Sequence, residues 1–250
     1  MKNGIGLASA VWTLTRFPFP GKPSRNIATP LFWYGFTGLL LGAVASVISS
    51  IISLASYLPF LESAVFTMTM AYLSRGFHLD GLGDMADGLG GGFTPERRLE
   101  IMSDTHSGSF SVIAICVCLI CKTVAGGELL NKGTTPLILM LSATWARSSI
   151  VFLCLISSYA KPDGKARGIT DGCHFGHLVV SVLTSVVATA LFWNHCSLTV
   201  LLAPTIAFLV TTVVIHFISK SKIGGITGDV CGACCEITET AALMLMAILC

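Results

Sequence analysis

The apolar positions of this chain gather into long runs separated by polar segments, not into the short alternations of a soluble sheet or the stripes of a surface helix. Runs cover about 30–56, 60–77, 109–127, 135–157, 178–193 and 197–217. Stretches approaching 20 apolar residues read as membrane-crossing helices. A further apolar stretch, 237–250, is short for a full crossing. Residues 4–15 predict an amphipathic or partly inserted helix, stopped by Phe17-Pro18-Phe19-Pro20-Gly21. Pro30 to Tyr34 opens the first full span with aromatics suited to a membrane interface. In the longest polar stretch, 78–108, Thr94 and Pro95 mark a helix start as cap and first helical residue. The pattern predicts an all-α, polytopic transmembrane bundle of about six to seven spans, with no domain boundary across residues 1–250.

Composition agrees. Residues are 53% hydrophobic and 11% charged, with mean hydropathy +0.80; soluble domains carry about 25% charged residues. The net charge of +2 gives no basis for a nucleic-acid partner. Cys116, Cys118, Cys121 and Cys154 lie in apolar runs and act as small hydrophobes, while Cys231, Cys234 and Cys235 lack the spacing of a four-ligand zinc site. The start of the chain has too short an apolar stretch and too poor a cleavage site for a removed signal peptide.

The basic residues fix an orientation. Lys2, Arg16, Lys22 and Arg25 precede the first span. Arg75, Arg97 and Arg98 flank or occupy 78–108, Lys161, Lys165 and Arg167 occupy 158–177, and Lys220 and Lys222 follow the sixth run. The intervening links hold Lys132 alone. Basic loops stay cytoplasmic, so every sizeable polar loop is expected on that face.

Chemistry concentrates at His78-Leu79-Asp80-Gly81-Leu82-Gly83-Asp84-Met85-Ala86-Asp87-Gly88. Asp80, Asp84 and Asp87 follow at i, i+4 and i+7, which on a helix aligns three carboxylates on one face. Such a face calls for a hard divalent cation or an arginine cluster. Gly224-Gly225-Ile226-Thr227-Gly228-Asp229 resembles a turn whose backbone amides meet a phosphate, followed by Glu236 and Glu239. Asp80, Asp84, Asp87, Asp104, Asp229 and Glu236 all fall on the inferred cytoplasmic side and form the candidate ligand set for Mg²⁺, which bridges carboxylates to substrate phosphates. Arg147, inside a span, is either a phosphate contact in a polar cavity or the partner of an acidic residue. Arg16 and Arg98 are candidate phosphate contacts or ordinary surface charges. His78 is a candidate base or ligand, or a hydrogen-bonded helix-end histidine. No Ser-His-Asp, Cys-His or P-loop pattern occurs.

The His78–Gly88 run resembles the cobalamin synthase family, adenosylcobinamide-GDP ribazoletransferase. Thr15-Arg16-Phe17-Pro18-Phe19-Pro20 resembles its N-terminal motif, Arg98–Asp104 with Gly108 and Phe110 its central motif, and Gly224–Asp229 with Gly232, Ala233 and Glu236 its C-terminal motif, in family order. Ser103 and His106 depart from it, where a basic residue is common. The resemblance implies a multi-pass enzyme of the bacterial inner membrane. It would join adenosylcobinamide-GDP to α-ribazole or its 5′-phosphate with Mg²⁺ and release GMP. Membrane lipid is the expected surrounding, and a homo-oligomer is compatible with the sequence. Two other readings stand beside it. CDP-alcohol phosphotransferases share an acidic pattern, but here Asp80-Gly81 is followed by Gly83-Asp84, not Ala-Arg. A non-enzymatic anion carrier would need polar groups reachable from both faces.

Overall fold

The computed structural model describes residues 6–161, 164 and 166–250; Lys2 and Lys165, counted above as loop charges, lie outside the described residues. Twelve α-helices occur among them: α1 Leu7–Leu14, α2 Tyr34–Ser49, α3 Ile51–Ala55, α4 Pro59–Leu73, α5 Phe77–Gly91, α6 Pro95–Ile101, α7 Ser109–Asn131, α8 Met140–Ile156, α9 Arg167–Asp171, α10 Phe175–Ala190, α11 Leu198–Ile223 and α12 Gly228–Leu249. The only strand-like pairing among the described residues is a bridge between Tyr159 and Ile226.

Among the described residues, five segments are long and apolar enough to cross a membrane: Thr29–Ala55, Ser109–Asn131, Pro136–Ile156, Leu198–Ile223 and Gly228–Leu249. α10 is a shorter apolar helix. The run at 60–77 does not form one span. α4 stops where Arg75 and Gly76 both take left-handed backbone, φ 59° and 67°, and α5 starts in a new direction. Conversely, of the segment expected to be a polar loop before a short apolar tail, everything but the turn at 224–227 is helical. Thr227 caps α12 by accepting from the Val230 amide at 3.4 Å, so the 22-residue helix includes Asp229 and Glu236.

α12 is the central helix, packed on α11, α5, α8 and α7. α8 is buried at every residue from Met140 to Val151. Its Ser148 hydroxyl meets those of Ser181 and Ser185 on α10 at 2.8 and 2.9 Å. Small residues and hydroxyls at such contacts let membrane helices approach and hydrogen-bond, where apolar burial alone offers no preference over lipid.

Candidate active site

The closest approach of α5 to α12 occurs at Gly81. A Cβ there would lie 2.7 Å from the Asp229 carbonyl oxygen and 2.9 Å from its Cα, so only glycine permits the contact. Residues about 150 positions apart in sequence therefore share one rim. Asp80 is exposed, and Asp84 and Asp229 are half-buried. Burial pushes the Asp84 carboxyl up to about 6, with the charges of Asp80, Asp229 and Asp87 adding to the effect in that order. Among the described residues no salt bridge reaches Asp80, Asp84 or Asp229. The Thr227 hydroxyl holds Asp229 at 3.1 Å.

The other predicted acidic residues are placed differently. Asp87 is buried and accepts from the Gly108 amide at 2.6 Å and the Ser111 amide at 3.0 Å. It caps α7, whose first amides have no partner within the helix. Asp104 is exposed and accepts from the backbone and ring of His106 at 3.0 and 2.8 Å, hydrogen bonds that hold its pKa below the usual range.

Glu236 is not at the rim. Lys122 of α7, Arg147 of α8, and Glu236 and Glu239 of α12 form a fully buried cluster. Lys122 Nζ donates to Glu236 at 2.5 Å and to Glu239 at 2.9 Å, and Arg147 donates to Glu239. Two cations and two anions balance there. Arg147 thus has an acidic partner and is not an open phosphate contact, and the Glu236 carboxylate is already occupied. Sequence reasoning missed Lys122 and gave Glu239 no role. The available signal was a lysine inside an apolar run, which demands a partner, and two glutamates one helical turn apart on a single face.

His78 is also buried, 1% exposed, packed on α12 where Gly232 leaves room for its backbone. Neither ring nitrogen has a partner. Burial, reinforced by the nearby Arg147 charge, lowers its pKa to about 3, so the ring is neutral. It lines a cavity of about 80 Å³ with Tyr34, Cys154, Thr170 and Cys231, set apart from the exposed carboxylate Asp80.

The glycine turn is built for shape. Gly224 ends α11 at φ 81°, and a Cβ on Gly225 would collide with Ser158. The Gly224 amide donates to Lys220 at 3.1 Å and the Ile226 amide to Ser158 at 2.9 Å, so those two amides are not open to a phosphate. A Cβ on Gly228, at the start of α12, would meet only the Ala166 Cβ, at 3.9 Å. Arg98 Nη1 donates to the Lys222 carbonyl at 3.0 Å, bracing α6 against the end of α11. Arg16 Nε donates to the Tyr72 carbonyl at 2.7 Å, and its guanidinium lies 4.7 Å from the Tyr72 ring centroid.

Among the described residues no three His, Cys, Asp or Glu side chains form a ready-made metal cage. The rim still suits a hard cation. Its donors are carboxylate oxygens, they form no salt bridge among the described residues, and Mg²⁺ commonly takes one or two carboxylates while retaining water and substrate phosphate.

The sequence matches the family model described as cobalamin-5-phosphate synthase over residues 6–247. It is 37% identical to an adenosylcobinamide-GDP ribazoletransferase of Chlorobium phaeovibrioides, covering 94% of this chain and 93% of the relative. It is 34% identical to one of Chlorobaculum tepidum, covering 97% and 95%, and 31% identical to one of Syntrophobacter fumaroxidans, covering 100% and 99%. No solved structure matches. The distant acidic segments that fold to one rim lie within that full-length match, and the chain belongs to the cobalamin-5-phosphate synthase family.

Proposed function

We propose that this enzyme joins adenosylcobinamide-GDP to α-ribazole or its 5′-phosphate, releasing GMP, with Mg²⁺ held at the rim of Asp80, Asp84 and Asp229 on the cytoplasmic face of a bacterial inner membrane. The observation that carries the reading is the α5–α12 contact at Gly81, which sets Asp229 beside the carboxylates of α5 with no salt bridge to any of them among the described residues. The full-length family match favours it over the CDP-alcohol and carrier readings.

The ribazole 3′-oxygen forms a bond to the phosphorus that carries the cobinamide arm. The bond from that phosphorus to the bridging oxygen breaks, and GMP leaves with that oxygen. The hydroxyl proton passes to a carboxylate oxygen of the rim. Phosphoryl transfer of this kind relies on positioning and charge neutralisation more than on a protein nucleophile. Bound Mg²⁺ supplies the neutralisation of the diphosphate and of the departing phosphate. Asp80, Asp84 and Asp229 would hold the cation. Asp87 contributes by fixing α7 against α5, and the Tyr159–Ile226 bridge fixes the turn from which Asp229 projects.

The test is direct. Purified protein given adenosylcobinamide-GDP, α-ribazole and Mg²⁺ is expected to yield equal amounts of GMP and cobalamin by mass spectrometry, and a chelator is expected to stop it. Absence of GMP, or undiminished turnover in chelator, overturns the reading.

A further inference from the structure

The joint between α4 and α5 borders a cavity of about 730 Å³. Its walls include Trp12, Phe77, Leu79 and Ile115, and its charged groups are Arg75 and Asp80. Arg75 is the one non-glycine residue with positive φ among the described residues. Left-handed backbone is unfavourable for an ordinary L-residue and costs glycine almost nothing. A glycine would suit the position better, so the arginine side chain is what the position retains. That side chain is exposed and, among the described residues, makes no hydrogen bond or ion pair. The contrast with Arg16 is close at hand. The Arg16 amide donates to the Leu73 carbonyl at 2.8 Å and its Nε to Tyr72, so its guanidinium is committed to the end of α4. Arg75, two residues further on, is not.

The cavity thus presents a free guanidinium and a free carboxylate that do not pair with each other. A ligand that answers both carries an anionic phosphate together with a cation. The guanidinium fork matches phosphate oxygens, and Asp80 is one of the rim carboxylates. We propose that Arg75 is a substrate-binding residue that grips the diphosphate of the nucleotide-bearing substrate in this cavity, a proposal that rests on the function given above.

Three variants separate charge from backbone. R75G removes the cation and relieves the left-handed backbone, R75K keeps a cation, and R75A removes the cation while leaving the backbone unfavourable. With purified protein in neutral-lipid nanodiscs, R75G is expected to raise the KM for adenosylcobinamide-GDP about ten- to a hundredfold, the range of a charge-assisted hydrogen bond. The KM for α-ribazole, which lacks phosphate, should stay unchanged, and the melting temperature should hold or rise. R75K should recover part of the loss, and R75A should match R75G in KM while melting like the wild type, below R75G. Equilibrium dialysis with GDP should show the same weakening in R75G. A wild-type KM and wild-type GDP binding in R75G overturn the assignment. An alternative source of phosphate, an anionic lipid headgroup, would show as stimulation of the wild type by anionic lipid that R75G abolishes while KM is unmoved, and this also overturns it. Failure of the wild type to release GMP would instead strike the proposed function, and the GDP dialysis would still decide the role of Arg75.

Discussion

Two groups of charged side chains share α12, and they are built on opposite terms. At the start of the helix, Asp229 faces Asp80 and Asp84, like charges half-open to solvent with no salt bridge. Two turns further in, Glu236 and Glu239 face Lys122 and Arg147, opposite charges fully enclosed. The enclosed group satisfies itself. An unpaired ion in such a place would cost several kcal/mol, so each charge there requires its partner. The open group is left unsatisfied, and that identifies it as the place where a cation and a phosphate can add something. Charge type alone does not separate the two, because both contain carboxylates on helices. Compensation does.

This contrast can be broken most forcefully at the enclosed group. Glu239→Gln leaves Lys122 and Arg147 short of negative charge, and it is expected to cost about 3–5 kcal/mol of stability, read as a large fall in melting temperature in detergent. Removing Lys122 and Glu236 together as Lys122→Met with Glu236→Leu keeps the remaining charges balanced and should restore most of that stability along with activity. A double variant that folds like the wild type but is inactive would move this cluster from scaffold to chemistry. At the rim the outcome reverses. Asp84→Asn relieves like-charge repulsion, so the melting temperature should hold or rise, while turnover should fall about 10²–10³-fold, the usual loss for one preorganised electrostatic group.

The pH dependence sharpens the same point. The Asp84 carboxyl is raised to about 6 in the folded protein. Folding therefore disfavours its ionised form, and the cation-free protein loses stability from this group as pH rises from the ordinary carboxylate range through 6. Mg²⁺ competes with that proton, so its affinity should fall as pH drops below about 6 and should lose this dependence in Asp84→Asn; calorimetric titration across pH 5–8 reads both. The smallest expected effect is at the start of α7. Asp87→Ala removes the cap of α7, and a loss of about 1 kcal/mol in stability is expected, with activity reduced less than in Asp84→Asn.

Much of this was legible before any packing was known. Uninterrupted apolar runs predicted a helical membrane bundle because a bilayer leaves few other ways to satisfy the backbone. The Asp80–Asp84–Asp87 spacing predicted a shared face because helical periodicity fixes it. The break at Arg75 was not legible, since arginine carries no signal for left-handed backbone. Nor was the full length of α12 legible, because Asp229 and Glu236 read as loop residues until partners for them were in view.

The sequence by itself determined the class of structure, the segments that hold carboxylates and the family, because hydropathy, periodicity and motif order are local properties of the chain. Only the tertiary structure decided which carboxylates remain available. Asp87 went to a helix cap, Asp104 to a local turn and Glu236 to a lysine, while Gly81 let Asp229 join Asp80 and Asp84. That sorting depends on which groups lie within hydrogen-bonding distance across helices, and spacing along one helix cannot supply it.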